Sequence, residues 1–106
     1  MSIINKLTKA IADRDVNLAN EVVHDDYKFL LHASGKILNK KDVINWLKSG
    51  DVTEEKVRVL FENNEVAFKH AFVTFSDGNK EAVMSYFKIK DGKVIYQETG
   101  ATKIPK

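Results

Sequence analysis

His70 stands between Phe68 and Phe72 in a run that alternates apolar and polar residues, and an imidazole so placed could serve as acid or base near neutral pH. Two further groups join it if the later strands pair through their turns: Ser85 on the next strand and Glu98 on the one after. This is not a hydrolase triad, because there the histidine stands between serine and acid, whereas here serine is in the middle. Such a row would instead form the polar end of an apolar pocket, since polar groups on a covered face need partners. The competing reading is a core histidine bonded to a neighbour. Tyr96 would share the face as a core aromatic with its hydroxyl at a rim. His24, His32, Asp25 and Asp26 are close in sequence, yet their spacing matches no helical or finger-like ligand set, so neither metal nor cofactor is expected. With no cysteine, thiolate nucleophiles, disulfides and zinc–cysteine sites are excluded.

The elements that must position these groups lie within 106 residues, a length that predicts a single domain, 1–106. Lys and Arg number 17 against 15 Asp and Glu, and every cation except Arg14 and Arg58 is a lysine. The lysines are scattered, with no stripe and no interleaved stacking aromatics, so nucleic acid is not an expected partner. No apolar run is long enough for a membrane span, and the first fifteen residues, MSIINKLTKAIADRD, lack the apolar block of a signal peptide. Neither membrane binding nor export is expected; a cytoplasmic location is.

The first half reads as helical. Ile3, Ile4, Leu7, Ala10 and Ile11 recur at helical spacing, with Asn5, Lys6, Lys9 and Asp13 on the other face. Asp15 offers an N-cap to a second helix carrying Val16, Leu18, Ala19, Val22 and Val23. A strand from Tyr27 to Ala33 follows, and Asn39 opens a third helix that stops at Gly50. Trp46 falls on that helix's apolar face as a core plug. From Val52 the period becomes two, and Asn63-Asn64, Asp77-Gly78 and Asp91-Gly92 mark hairpins between strands at 55–62, 65–75, 80–90 and 93–103. The fold class predicted is α+β, with helices on one face of a curved, mostly antiparallel sheet.

Two-residue turns at all three places fix which residues share a face. The covered face then takes Val57, Val59, Phe61, Phe68, His70, Phe72, Ser85, Phe87, Tyr96 and Glu98, and the outer one takes Arg58, Lys69 and Lys88. The predicted pocket is His70, Ser85, Glu98 and Tyr96, walled by Phe68, Phe72, Phe87, Val59 and Leu31. A bulge before Glu98 would turn Gln97 and Thr99 inward instead. The outer face gathers Ala71, Val73, Ala82, Met84, Thr99 and Ala101, small or apolar side chains that predict a homodimer interface.

IADRDVNLANEVVHDDYKFLL, SGK with the helix KDVINWLKSG, and the ending YFKIKDGKVIYQE together resemble the nuclear transport factor two-like superfamily, which includes ketosteroid isomerases and polyketide cyclases. The resemblance spans nearly the whole chain and implies a cone: a bent sheet wrapped around helices, with a pocket between them, usually as a homodimer. It also implies where isomerase groups would fall. The general base aligns with Leu31, the oxyanion-donating tyrosine with Leu7, and the second acid on or near Ser85. Leucine neither accepts a proton nor donates a hydrogen bond, so ketosteroid isomerase activity is not expected. The leading expectation is therefore a cone that binds an apolar or partly polar small molecule. The alternatives are a lyase or isomerase of the polyketide-cyclase kind using His70 with Glu98 or Tyr96, and an interaction module whose pocket is filled.

Overall fold

The computed structural model describes residues 2–32 and 34–105. Helices α1 (Ile3–Asp13) and α2 (Val16–Val22) lead into strand β1 (Val23–Leu31), then the short strand β2 (Ile37–Asn39) and helix α3 (Lys40–Ser49). Four long strands complete the chain: β3 (Val52–Glu62), β4 (Val66–Phe75), β5 (Lys80–Lys90) and β6 (Lys93–Ile104). Ala33, the expected end of the first strand, lies outside the described residues. Strand β2 has too little periodicity to read from sequence, and its Ile37 is exposed.

Local chemistry sets the helix ends. Asp15 accepts a hydrogen bond from the Leu18 N–H at 3.1 Å, and Asn39 and Asp42 form a reciprocal capping box at 2.9 and 3.0 Å. Such a cap contributes about 1 kcal/mol. Gly50 ends α3 at φ +68°, where a Cβ would lie 2.9 Å from the Arg14 guanidinium. That guanidinium donates to the Lys48 carbonyl, tying the end of α1 to the end of α3. Gly50 is thus required both by its dihedral and by its neighbour.

The sheet runs β2-β1-β6-β5-β4-β3, antiparallel throughout except for the parallel pair β1 and β6. The helices cover one face. Ile4 and Leu7 of α1, Val22 of α2 and Val43 of α3 bury against Tyr27, Phe29, Ala67, Phe87, Ile89 and Val94. Phe87 is 1% exposed, and burial of this kind contributes roughly 1.5–3 kcal/mol per large side chain.

Register departs from expectation because the three hairpins differ. At Asp91-Gly92 both residues have positive φ, +56° and +73°, as a two-residue type I′ turn requires, and Lys90 pairs with Lys93. At Asp77-Gly78 only Gly78 does, at +88°. The loop there is Ser76, Asp77 and Gly78: the Phe75 N–H donates to the Asn79 carbonyl at 2.9 Å, and the Gly78 N–H to the Phe75 carbonyl at 2.9 Å. One extra loop residue moves β4 by one position, so Lys69, not His70, pairs with Ser85, and His70 pairs with Met84. A single-residue slip exchanges the faces of a whole strand. His70, Phe68 and Phe72 therefore lie on the outer face, and Lys69, Ala71 and Val73 on the covered one.

Bulges finish the rearrangement. In β6, Ile95 is left unpaired, and beyond it Lys88 pairs with Tyr96 and Ser85 with Thr99. Tyr96 and Glu98 turn outward, while Gln97, Thr99 and Ala101 turn inward. In β3 the register shifts twice, once beside Lys56, whose φ is +52°, and once between Val59 and Phe61. Val59 consequently packs on the core, whereas Phe61 is exposed.

Candidate functional site

Between the covered sheet face and the helices lies a cavity of about 600 Å³. Leu7, Val23, Tyr27 and Phe87 wall it beside the solid core, and Val73, Phe75 and Val83 extend it along the sheet. His32, Ser34, Lys36, Asp42, Trp46 and Ala101 border it and are exposed, so the cavity opens among them. Trp46, at 37% exposure, is part of this rim and not the core plug expected from its helical position.

Inside the exposed rim, the polar side chains of this wall are those of Tyr27, Glu54, Lys69, Glu81, Ser85, Gln97 and Thr99. Lys69 is 3% exposed, and both carboxylate oxygens of Glu54 lie 2.9 Å from its Nζ. Ser85, 6% exposed, is the cross-strand neighbour of Lys69 on one side and of Thr99 on the other. The Tyr27 hydroxyl donates to Gln97 Oε1 at 2.7 Å. A polar band Glu54, Lys69, Ser85, Thr99 thus crosses the cavity wall. It can present a charged N–H donor, hydroxyl groups and a carboxylate to an enclosed molecule, with electrostatics strengthened by the burial of Lys69 and Ser85.

Burial pushes the Tyr27 hydroxyl well above the ordinary tyrosine range, so it stays protonated as a donor. The unfolded chain releases this proton at about pH 10, whereas the folded chain holds it. Stability from this group is complete below about pH 10 and is lost as pH rises beyond it. Alkaline titration followed by tyrosinate absorbance should show one tyrosine ionising only with unfolding. In Tyr27→Phe that late step should vanish; its persistence would contradict the burial of this hydroxyl.

Of the residues expected to line the pocket, Ser85, Phe87 and Leu31 do so. Val59 supports the core behind it. His70, Phe68, Phe72, Tyr96 and Glu98 do not line it; they lie on the outer face or its edge. His70 packs edge-on against Phe72, with ring centroids 5.2 Å apart, and Glu98 meets His32 Nε2 at 2.6 Å. Of the expected interface residues, Ala82 and Met84 lie on the outer face, but Ala71 and Val73 are buried on the covered face, and Val73, Thr99 and Ala101 line the cavity. Asp25 is taken by Lys40 at 3.0 Å, which holds its carboxyl below the usual range, and His24 Nδ1 accepts from the Asp26 N–H at 3.0 Å.

Sequence reasoning missed Lys69 and Glu54. The available signal was Ser76 ahead of Asp77-Gly78, which permits a type I turn closed by a left-handed glycine and so a three-residue loop.

No protein-family model matches the chain, and no curated protein matches it. Solved structures do. A provisional ketosteroid isomerase from Kribbella flavida superposes with a TM-score of 0.82 at 14% identity, covering 98% of this chain and 78% of that one. A nuclear transport factor two-like protein from Cytophaga hutchinsonii matches with a TM-score of 0.65 at 22% identity, covering 94% and 93%. The chain has the nuclear transport factor two-like fold. A provisional polyketide cyclase from Sinorhizobium meliloti shares this fold too, with a TM-score of 0.74 at 18% identity over 92% of this chain and 93% of that one. At such identities the likeness concerns the cone and not its chemistry. Within the cone, Leu7, Leu31 and Ser85, the positions aligned with the isomerase groups, all line the cavity.

Proposed function

We propose that this cone binds a small, mostly apolar molecule carrying a hydrogen-bonding group, without assigned catalysis. The observation that carries the reading is an open cavity of about 600 Å³, within the roughly 300–1,000 Å³ of small-molecule sites, with a band of polar groups crossing its wall. A filled interaction module would leave no such space. The catalytic alternative built on His70 with Glu98 or Tyr96 loses its basis, because those side chains lie outside the cavity. The neutral dye phenylnaphthylamine tests the proposal by its fluorescence. Saturable binding is expected, weakened at least about tenfold by Val83→Phe, which fills the cavity. Binding that Val83→Phe leaves unchanged, or none at all, would overturn it.

The outer face supports a second part of the proposal, a homodimer. Phe61, Phe68 and Met84 are exposed there beside Phe72, Tyr86 and Tyr96, an apolar and aromatic surface of the kind that marks contact sites. His70 Nδ1 is buried on this face with no hydrogen-bond partner among the described residues, a group that an apposed sheet could satisfy. No described helix is long and apolar enough to cross a membrane. The absence of cysteine fits a reducing compartment such as the cytoplasm.

A further inference from the structure

A buried ion pair in the wall of a largely apolar cavity calls for a physical reason. Replacing a buried ion pair by apolar residues of like volume is often neutral or stabilising, so folding alone gives little cause to keep Lys69 and Glu54 there. Their geometry suggests another. The ammonium has three N–H donors, and Glu54, with both oxygens 2.9 Å from Nζ, is its one partner among the described residues. At least one donor therefore remains for a guest, beside the Ser85 hydroxyl. The charge, however, is already neutralised.

We propose that the Glu54–Lys69 pair is a charge filter: it directs the cavity to uncharged ligands bearing a hydrogen-bond acceptor, and it rejects carboxylates and ammonium ions of the same shape. This rests on the cavity being a ligand site. A carbonyl oxygen can accept from Lys69 without disturbing Glu54. A carboxylate held at this pair would be desolvated beside the Glu54 carboxylate, and an ammonium beside Lys69; neither finds an unpaired counter-charge there, since the half-buried Glu81, the other carboxylate in the wall, stands four residues along β5 from Ser85. Glu54 is then the residue that sets specificity, although the donor is Lys69. Removing one charge should convert the filter into a selective site for the opposite charge. Glu54→Gln keeps an amide oxygen for Lys69 but leaves the cation unneutralised, which invites a carboxylate. Lys69→Met leaves Glu54 alone, which invites an ammonium.

Three probes sharing one alkyl tail test this by competition with phenylnaphthylamine at neutral pH: methyl nonyl ketone, decanoate and decylammonium. Wild type should bind the ketone at least about tenfold more tightly than either ion. Glu54→Gln should gain at least about tenfold for decanoate and nothing for decylammonium; Lys69→Met should do the reverse. The wild-type comparison needs no variant, so a variant that fails to fold leaves the proposal open to refutation. Wild type binding decanoate or decylammonium as tightly as the ketone would overturn the filter while the cavity reading stood. Failure of the dye and of all three probes to bind would overturn both.

Discussion

Lys69→Met should lower unfolding stability by about 3 kcal/mol or more, because it strands the Glu54 carboxylate in a cavity wall where little water reaches it. The double variant Lys69→Met with Glu54→Leu should recover most of that loss and lie within about 1 kcal/mol of wild type, or above it. Desolvating two ions costs about as much as their mutual attraction returns, whereas desolvating one returns nothing. Urea unfolding of the four proteins in the cycle measures both numbers. A single variant as stable as the double would mean that the two side chains do not share a buried contact. Stability restored in the double, together with loss of the ketone preference, would separate the pair's part in recognition from any part in folding.

Met84→Lys should convert the proposed dimer to a monomer. Met84 is 43% exposed near the middle of the outer face, opposite His70 on one side and Gly100 on the other. A twofold contact would use this position in both copies, so one substitution buries two like charges against an apolar surface. Sedimentation velocity at micromolar concentration should show wild type as a dimer and the variant at half that mass. A monomeric wild type, or a variant dimer unchanged in stability, would refute the interface.

What the sequence disclosed and what it withheld follow from the range of the interactions involved. Helix ends were legible because a cap is a contact over three residues: Asp15 with Leu18, and Asn39 with Asp42, lie where their spacing put them. The strand-rich second half was legible from alternation, and so was the inward face of β5, with Ser85 and Phe87. The faces of β4 and β6 were not. Alternation in β4 is ambiguous, since Phe68, His70 and Phe72 form as apolar a set as Ala67, Ala71 and Val73, and the larger set lies outward. The choice depended on one loop residue at Gly78 and on a bulge at Ile95, neither of which changes the apolar pattern. A lysine pointing into a cavity also runs against the rule that lysines are seldom buried unless paired, and its partner Glu54 is distant in sequence. One loop residue and one bulge thus put the polar row of the covered face on different residues: Ser85 remains, while Lys69 and Thr99 stand where His70 and Glu98 were expected.

On the proposed function, the interior of the cone receives the ligand. Isotope-filtered nuclear Overhauser measurements on the protein with methyl nonyl ketone locate the guest directly. Contacts from its alkyl protons to the methyl groups of Leu31, Val73 and Val83, which wall the cavity, are the result predicted here. Contacts confined to Ala82 and Met84 on the outer face, or no contact at saturating ketone, would contradict it.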